Sequence, residues 1–254
     1  MLASFTTVFA TVFATTPHHH VCVPVRYFSG DLMNASDELI IEPRSGQAAD
    51  ACVIILHGLG ADGRDFESLV PALNLGGKHA VRFILPNAPR LPVTVNGGMV
   101  MPAWYDIMEM SLDRRVDEKQ LKISAQRIQA LVDEQIEHGI APERIFLAGF
   151  SQGGAVAYEA ALSYPKRLGG LLAMSTYLAT AGSLSYAEAN RDLPVEIHHG
   201  LMDPVVFETL GRAARDHLIA KGYSVNYRQY PMAHAVCPQQ VMDIGRWLDE
   251  HLGA

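Results

Sequence analysis

Three observations predict an α/β fold with a doubly wound, mainly parallel sheet and helices on both faces. Short β-rich runs alternate with helical stretches from Glu38 onward, the order that parallel strands with crossover helices require. Nothing repeats at a fixed period, and no Pro/Gly/Ser-rich linker divides the chain. At 254 residues with 49% hydrophobic side chains, the chain can bury the core of one large domain.

Taken in order, "ELIIEP" (38–43) and "ACVIILHG" (51–58) read as the first strands, and "RDFESLVPALN" (64–74) as a short helix. "VRFILPNAP" (81–89) is a further strand, and "NGGMVMPAWYDIMEM" (96–110) a Gly- and Met-rich excursion. Residues 117–138 carry the clearest helical pattern, with Leu121, Ala125, Ile128, Leu131, Val132, Gln135 and Ile136 on one face and "HG" closing it. "RIFLAGF" (144–150) is a strand and "SQGGAVAYEAALSYP" (151–165) a helix. "LGGLLAMS", "VEIHHG" and "VNYRQYP" follow as strands, with helices at 207–221 and 238–252.

The charge balance, 27 acidic against 20 basic residues without a basic stripe, argues against nucleic acid as a partner. Cys22, Cys52 and Cys237 form no metal-type pair, and an odd number cannot all be bridged; free thiols in a reducing, cytoplasmic setting are expected. Residues 1–36 are apolar and threonine-rich but lack a basic start, so they read as a disordered extension or an upstream start rather than a signal peptide. Within them, His18, His19 and His20 read as a solvated tail rather than a metal site. No apolar run approaches the ~20 residues needed to span a bilayer, so stable membrane insertion is not expected.

Chemistry enters at "GFSQGG" (149–154), where a strand hands over to a helix. Gly149 and Gly153 flank Ser151 at two residues on either side, the G-x-S-x-G pattern of a nucleophile elbow, whose sharp turn needs residues without bulk. The competing reading is a plain helix N-cap. A serine nucleophile needs a histidine to take its proton. On a sheet of this kind the carboxylate and then the histidine follow in later loops. "HHGLMDPVV" supplies Asp203 after one strand, and "YPMAHAV" supplies His234 after the next. Asp203 precedes Pro204 and has a competing role as a turn residue. His198 and His199 lie in or at the end of a strand and rank below His234 as the base.

Together "HGLGADG", "GFSQGGA", "HGLMDPVV" and "MAHAV" resemble, in that order, the bacterial carboxylesterases related to acyl-protein thioesterases and lysophospholipases, of the α/β-hydrolase fold. The resemblance runs from about Glu38 to Leu252, making residues 37–254 the catalytic domain. It implies Ser151 as nucleophile, His234 as general base and acid, and Asp203 as the residue orienting His234. It also implies an oxyanion hole from the backbone N–H groups of Leu59 and Gln152. No metal or organic cofactor is implied; the expected partner is a small acyl ester or thioester, and family habit suggests a homodimer. "MPAWYDI" and "MSTYL" also resemble family segments, whereas Phe207 and Ala179 stand where prolines are expected. Met99, Met101, Met108 and Met110, with Trp104 and Tyr105, either line an apolar acyl groove or pack the excursion itself. His57, Trp104 and Met101 are the candidate substrate contacts. The expected activity is hydrolysis of short- to medium-chain esters, with thioesterase or lysophospholipase activity on the same site, or a non-catalytic interaction module, as alternatives.

Overall fold

The computed structural model describes residues 38–75, 79–110 and 114–253. The extension 1–36, with Cys22 and the histidine triplet, lies outside the described residues. In chain order the elements are β1 (Leu39–Ile41), β2 (Ala51–Leu56), α1 (Leu69–Ala72), β3 (Val81–Leu85), β4 (Arg90–Val93), β5 (Met99–Pro102), β6 (Ile107–Glu109) and β7 (Arg115–Val116). Then come α2 (Glu118–Glu137), β8 (Ile145–Phe150), α3 (Gln152–Leu162), β9 (Gly170–Met174), β10 (Val195–Gly200), α4 (Glu208–Ala220), β11 (Val225–Tyr230) and α5 (Pro238–Leu252).

Among the described residues one seven-stranded sheet runs in the order β1-β3-β2-β8-β9-β10-β11. Its strands pair in parallel except for β1, which is antiparallel to β3. Strand alternation sorts the side chains into two cores. Cys52, Ile54 and Leu56 of β2 join Ile145 and Leu147 of β8 beneath α2 and α3. Val53 and Ile55, with Phe146, Ala148 and Phe150, face α1 and α5 on the other side. Burial on both faces is why these strands read as continuous apolar runs.

The long helix α2 forms as expected: Asp117 caps it by accepting from the Gln120 N–H at 2.9 Å, and Gly139, at φ 92°, ends it. The face predicted from spacing is buried except for half-buried Ile136, and Ser124 joins it. The helix expected over 64–74 is instead a 3-10 turn, Gly63–Phe66, followed by the single turn of α1. Pro71 lies inside α1; it lacks an N–H and disfavours helical backbone at the residue before it, so a longer helix does not propagate. The excursion is more ordered than its composition suggests, with β4 pairing β5 and β6 pairing β7 as antiparallel ribbons.

Candidate active site

The turn between β8 and α3 brings Ser151 above the C-terminal edge of the sheet. Ser151 sits at φ 54°, ψ −120°, a left-handed conformation uncommon for a residue with a side chain. A Cβ on Gly149 would lie 2.4 Å from the Gly153 carbonyl oxygen, and one on Gly153 would lie 2.5 Å from the carbonyls of Leu56 and His57. The backbone of Ser151 is tied at both ends: its N–H donates to Met174 O at 2.9 Å, and Thr176 Oγ1 donates to its carbonyl at 2.6 Å. Its hydroxyl makes no capping bond to α3, so the plain N-cap reading fails.

That hydroxyl faces a histidine instead. Ser151 Oγ lies 3.0 Å from His234 Nε2, and His234 Nδ1 lies 2.7 Å from Asp203 Oδ2. The bond to a carboxylate puts the proton on Nδ1 and leaves the Nε2 lone pair toward Ser151. The imidazole packs on Phe150, with ring centroids 4.7 Å apart. Ser151 and Asp203, 83 and 31 residues before His234 in sequence, meet it here because parallel strands end on one edge.

Asp203 is placed for both readings of its sequence. One carboxylate oxygen, Oδ1, accepts the N–H groups of Val205 and Val206, each at 2.9 Å, and so closes the turn; the other serves His234. Burial pushes its pKa up, but the bond to His234, its charge and the two backbone donors outweigh burial and leave the carboxyl below its ordinary value.

The segment following β2 lies against the elbow, since a Cβ on Gly58 would come within 3.4 Å of Ser151 Cβ. Gly60 donates to Pro102 O at 2.8 Å, which fixes the loop. The N–H of Leu59 donates to no carbonyl among the described residues, nor does that of Gln152, whose place in the first turn of α3 leaves it without an intrahelical acceptor. The Gln152 side chain is buried and locked: its Oε1 accepts the Trp104 N–H at 2.9 Å, and its Nε2 donates to Tyr105 O at 2.6 Å. These links span 48 and 47 residues, and no spacing in the sequence signals them.

Two of the candidate substrate contacts, His57 and Trp104, are buried beneath the loop that follows β2. His57 is fully buried and both ring nitrogens are used: Nδ1 donates to Gly58 O at 2.7 Å, and Nε2 accepts the Ala88 N–H at 3.0 Å. Burial lowers its pKa, so it is a neutral bridge beneath the loop. Trp104, 1% exposed, donates its indole N–H to His57 O at 2.8 Å and walls the same loop from behind. Both are large amphipathic groups whose polar atoms found partners in the protein first. Met101 is half-buried at the rim, its sulfur 3.2 Å from Asn96 Nδ2. Of the remaining excursion methionines, Met99, Met108 and Met110 are exposed, while Tyr105 is buried. His198 pairs with Glu196 at 2.8 Å and His199 with Val206 O at 2.8 Å; neither hydrogen-bonds Ser151.

Among the described residues no group of three or more His, Cys, Asp or Glu side chains is arranged to hold a metal, and no helix is long and apolar enough to cross a membrane.

The chain is similar to acyl-protein thioesterase 1 of Gibberella zeae, 38% identical over 213 residues, covering 80% of this chain and 91% of that protein. The acyl-protein thioesterase 1 of Neurospora crassa is 38% identical over 215 residues, covering 80% and 87%. Among solved structures, Zea mays acyl-protein thioesterase 2 superposes with a TM-score of 0.75 at 26% identity, covering 86% of this chain and 100% of that one. Arabidopsis thaliana SOBER1 does so with a TM-score of 0.74 at 28% identity, covering 80% and 99%. These relatives are fungal and plant proteins, so the bacterial part of the resemblance finds no support in them. A family model described as phospholipase/carboxylesterase matches residues 36–252, nearly the whole described chain, and the protein belongs to that family of α/β-hydrolases.

Proposed function

We propose that this protein hydrolyses carboxylic esters and thioesters through an acyl-enzyme on Ser151, with His234 moving the proton and Asp203 orienting His234. The observation that carries this reading is the unbroken hydrogen-bond line Ser151 Oγ to His234 Nε2 to Asp203 Oδ2, at 3.0 and 2.7 Å. Ser151 Oγ attacks the acyl carbon as its proton passes to His234 Nε2. The imidazolium so formed is stabilised by Asp203, whose carboxyl is kept below its ordinary pKa, against burial, by the bond to His234, the His234 charge and its two backbone donors. The oxyanion meets the N–H groups of Leu59 and Gln152, each worth about 2.7–4 kcal/mol because its charge appears only in the transition state. His234 then protonates the leaving alcohol or thiol. Water, deprotonated by the same nitrogen, releases the acid.

The 38% identity to two acyl-protein thioesterases favours, as a second reading, a thioester on an acylated protein as the substrate. Unpaired Cys52 and Cys237 fit a cytoplasmic setting. Ser151→Ala is expected to abolish both ester turnover and labelling by a fluorophosphonate while leaving the thermal melt in place, a loss approaching ~10⁶-fold if the three side chains act as a unit. Near-normal turnover in that variant would move the nucleophile elsewhere. A matched panel of oxygen esters, thioesters and lysophospholipids then ranks the leaving groups.

A further inference from the structure

Asp203 does not reach its backbone donors unaided, because the donors themselves are held from outside. The peptide joining Val205 to Val206 presents its N–H to Asp203 Oδ1 at 2.9 Å. The carbonyl of that same peptide, Val205 O, accepts from Arg114 Nη2 at 2.7 Å. Arg114 comes from 91 residues earlier in the chain, just before β7. Its guanidinium carbon sits 4.7 Å from the ring centroid of Tyr177, which is buried and bonded through its hydroxyl to Tyr105 at 2.8 Å. Tyr177 directly follows Thr176, the side chain that anchors the Ser151 carbonyl. Arg114 therefore spans the supports of the nucleophile and of the carboxylate.

We propose that Arg114 is a positioning residue for the reaction, its cation fixing and polarising the Val205–Val206 peptide so that this peptide holds the Asp203 carboxylate against His234. The inference rests on the Ser151–His234–Asp203 reading above. Hydrogen bonds in a row strengthen one another, by ~10–30% per bond, and a charged donor at the head of the row has the largest effect. Here the row is guanidinium, peptide, carboxylate. Among the described residues no acid pairs with Arg114, and its Nε is buried without a partner. A residue needed merely to fill the space beside Tyr177 would not require a charge. On the far side of the turn, His199 Nε2 donates to Val206 O at 2.8 Å, so the next peptide is pinned as well and the turn is left little freedom.

The test measures kcat and KM for a small neutral ester, p-nitrophenyl butyrate, with active enzyme counted by fluorophosphonate titration and folding followed by thermal melts. Arg114→Met, Arg114→Gln and Arg114→Lys are each made in the natural chain and in Asp203→Ala. Arg114→Met is expected to lower kcat by about 10–10²-fold, the usual cost of a small misplacement of catalytic groups. KM should stay within about twofold, since no substrate contact is lost. Arg114→Lys should recover most of the activity, and Arg114→Gln, a neutral donor, should fall between; it also gives the comparison if Arg114→Met does not fold. In the Asp203→Ala background the Met substitution should cost less than about twofold, because residues acting through one another are not additive. Equal losses in the two backgrounds would overturn the inference, as would an unchanged kcat or a loss confined to KM, which would make Arg114 a substrate contact. A severe Asp203→Ala beside a silent Arg114→Met overturns this inference alone. A near-silent Asp203→Ala overturns the triad reading and this inference with it.

Discussion

Ser151 is held in a backbone conformation that costs on the order of 1–3 kcal/mol, and the residues around it have no freedom to relieve that cost. The elbow works because β8, α3 and the segment following β2 approach so closely that only hydrogen fits at two positions: Gly149 faces the Gly153 carbonyl, and Gly153 faces the carbonyls of Leu56 and His57. Those neighbours are backbone and cannot swing away. Gly153→Ala should therefore cost about 1–3 kcal/mol or more through overpacking, seen as a lower melting temperature, and should lower ester turnover by displacing the Gln152 N–H. Gly182 is the control: it has no atom within 4 Å of an added Cβ, and Gly182→Ala should stay within about 0.5 kcal/mol of the natural chain. Equal melting temperatures for the two variants would mean that the elbow tolerates a methyl group and that the close approach is not a constraint.

At the scale of elements, the legible parts of the sequence were those where period and burial agree. The strands β2, β8 and β9 are buried along their whole length, so their apolar runs announced them, and α2 carried a regular stripe with a cap and a glycine stop. The G-x-S-x-G turn and the strand-end positions of Asp203 and His234 were legible for the same reason: parallel strands deliver their following loops to one edge. What escaped was set by tertiary partners. The β4–β5 ribbon contains Pro92 and Pro102 and is largely exposed, so neither alternation nor propensity marked it. His57 and Trp104 are of types that suit a site, and nothing local showed that their polar atoms also brace the loop after β2. Arg114 and the Gln152 side chain carried no local signal, since their partners lie 47 to 91 residues away. Burial by α5 follows a similar logic. Trp247 meets Phe146 edge-on at 5.7 Å between centroids, and Gly170 leaves room for its ring, where a Cβ would lie 2.7 Å from it. Trp247→Ala should lose about 3–5 kcal/mol by denaturant unfolding, because α5, with α1, covers this face of the sheet and backbone at β9 cannot move in to fill the space. A loss below about 1 kcal/mol would show that this contact is dispensable.

For the whole molecule, the strand that closes the sheet on the active-site side is held by acids. The edge strand β11 is half-exposed, and beyond its backbone ladder to β10 the side-chain bonds that hold it are ionic or charge-assisted. Glu196 on β10 accepts from Arg228 at 2.7 Å; Glu208 on α4 accepts from Tyr227 and Gln229 at 2.7 and 2.6 Å; Asp243 on α5 accepts from Tyr230 at 2.9 Å. Asp203 holds His234, in the loop that β11 leads into. In all four carboxyls burial alone would raise the pKa, but hydrogen bonds and nearby cations outweigh it and leave the folded value below the ordinary one. A depressed folded pKa contributes stability that is complete above the unfolded value, ~3.9 for Asp and ~4.3 for Glu, and is lost as pH falls through the folded value. Glu38, Asp65 and Glu159 have the opposite sign: burial raises them, so their protonation favours the folded state and partly offsets the global loss. The charged and hydrogen-bonding groups that act on these three lie outside β11, so the two effects separate in space. The contribution of the four carboxyls around β11 should be complete above about pH 5 and decline below about pH 4. In that decline the amides of β11 and the loop carrying His234 should exchange with solvent before those of β2 and β8, and activity should not survive their release. Hydrogen exchange followed from pH 6 to pH 3 decides it. Simultaneous opening of β11 and β2, or exchange at β11 that does not change with pH, would mean that the acids are incidental to the edge and that packing alone keeps His234 in place.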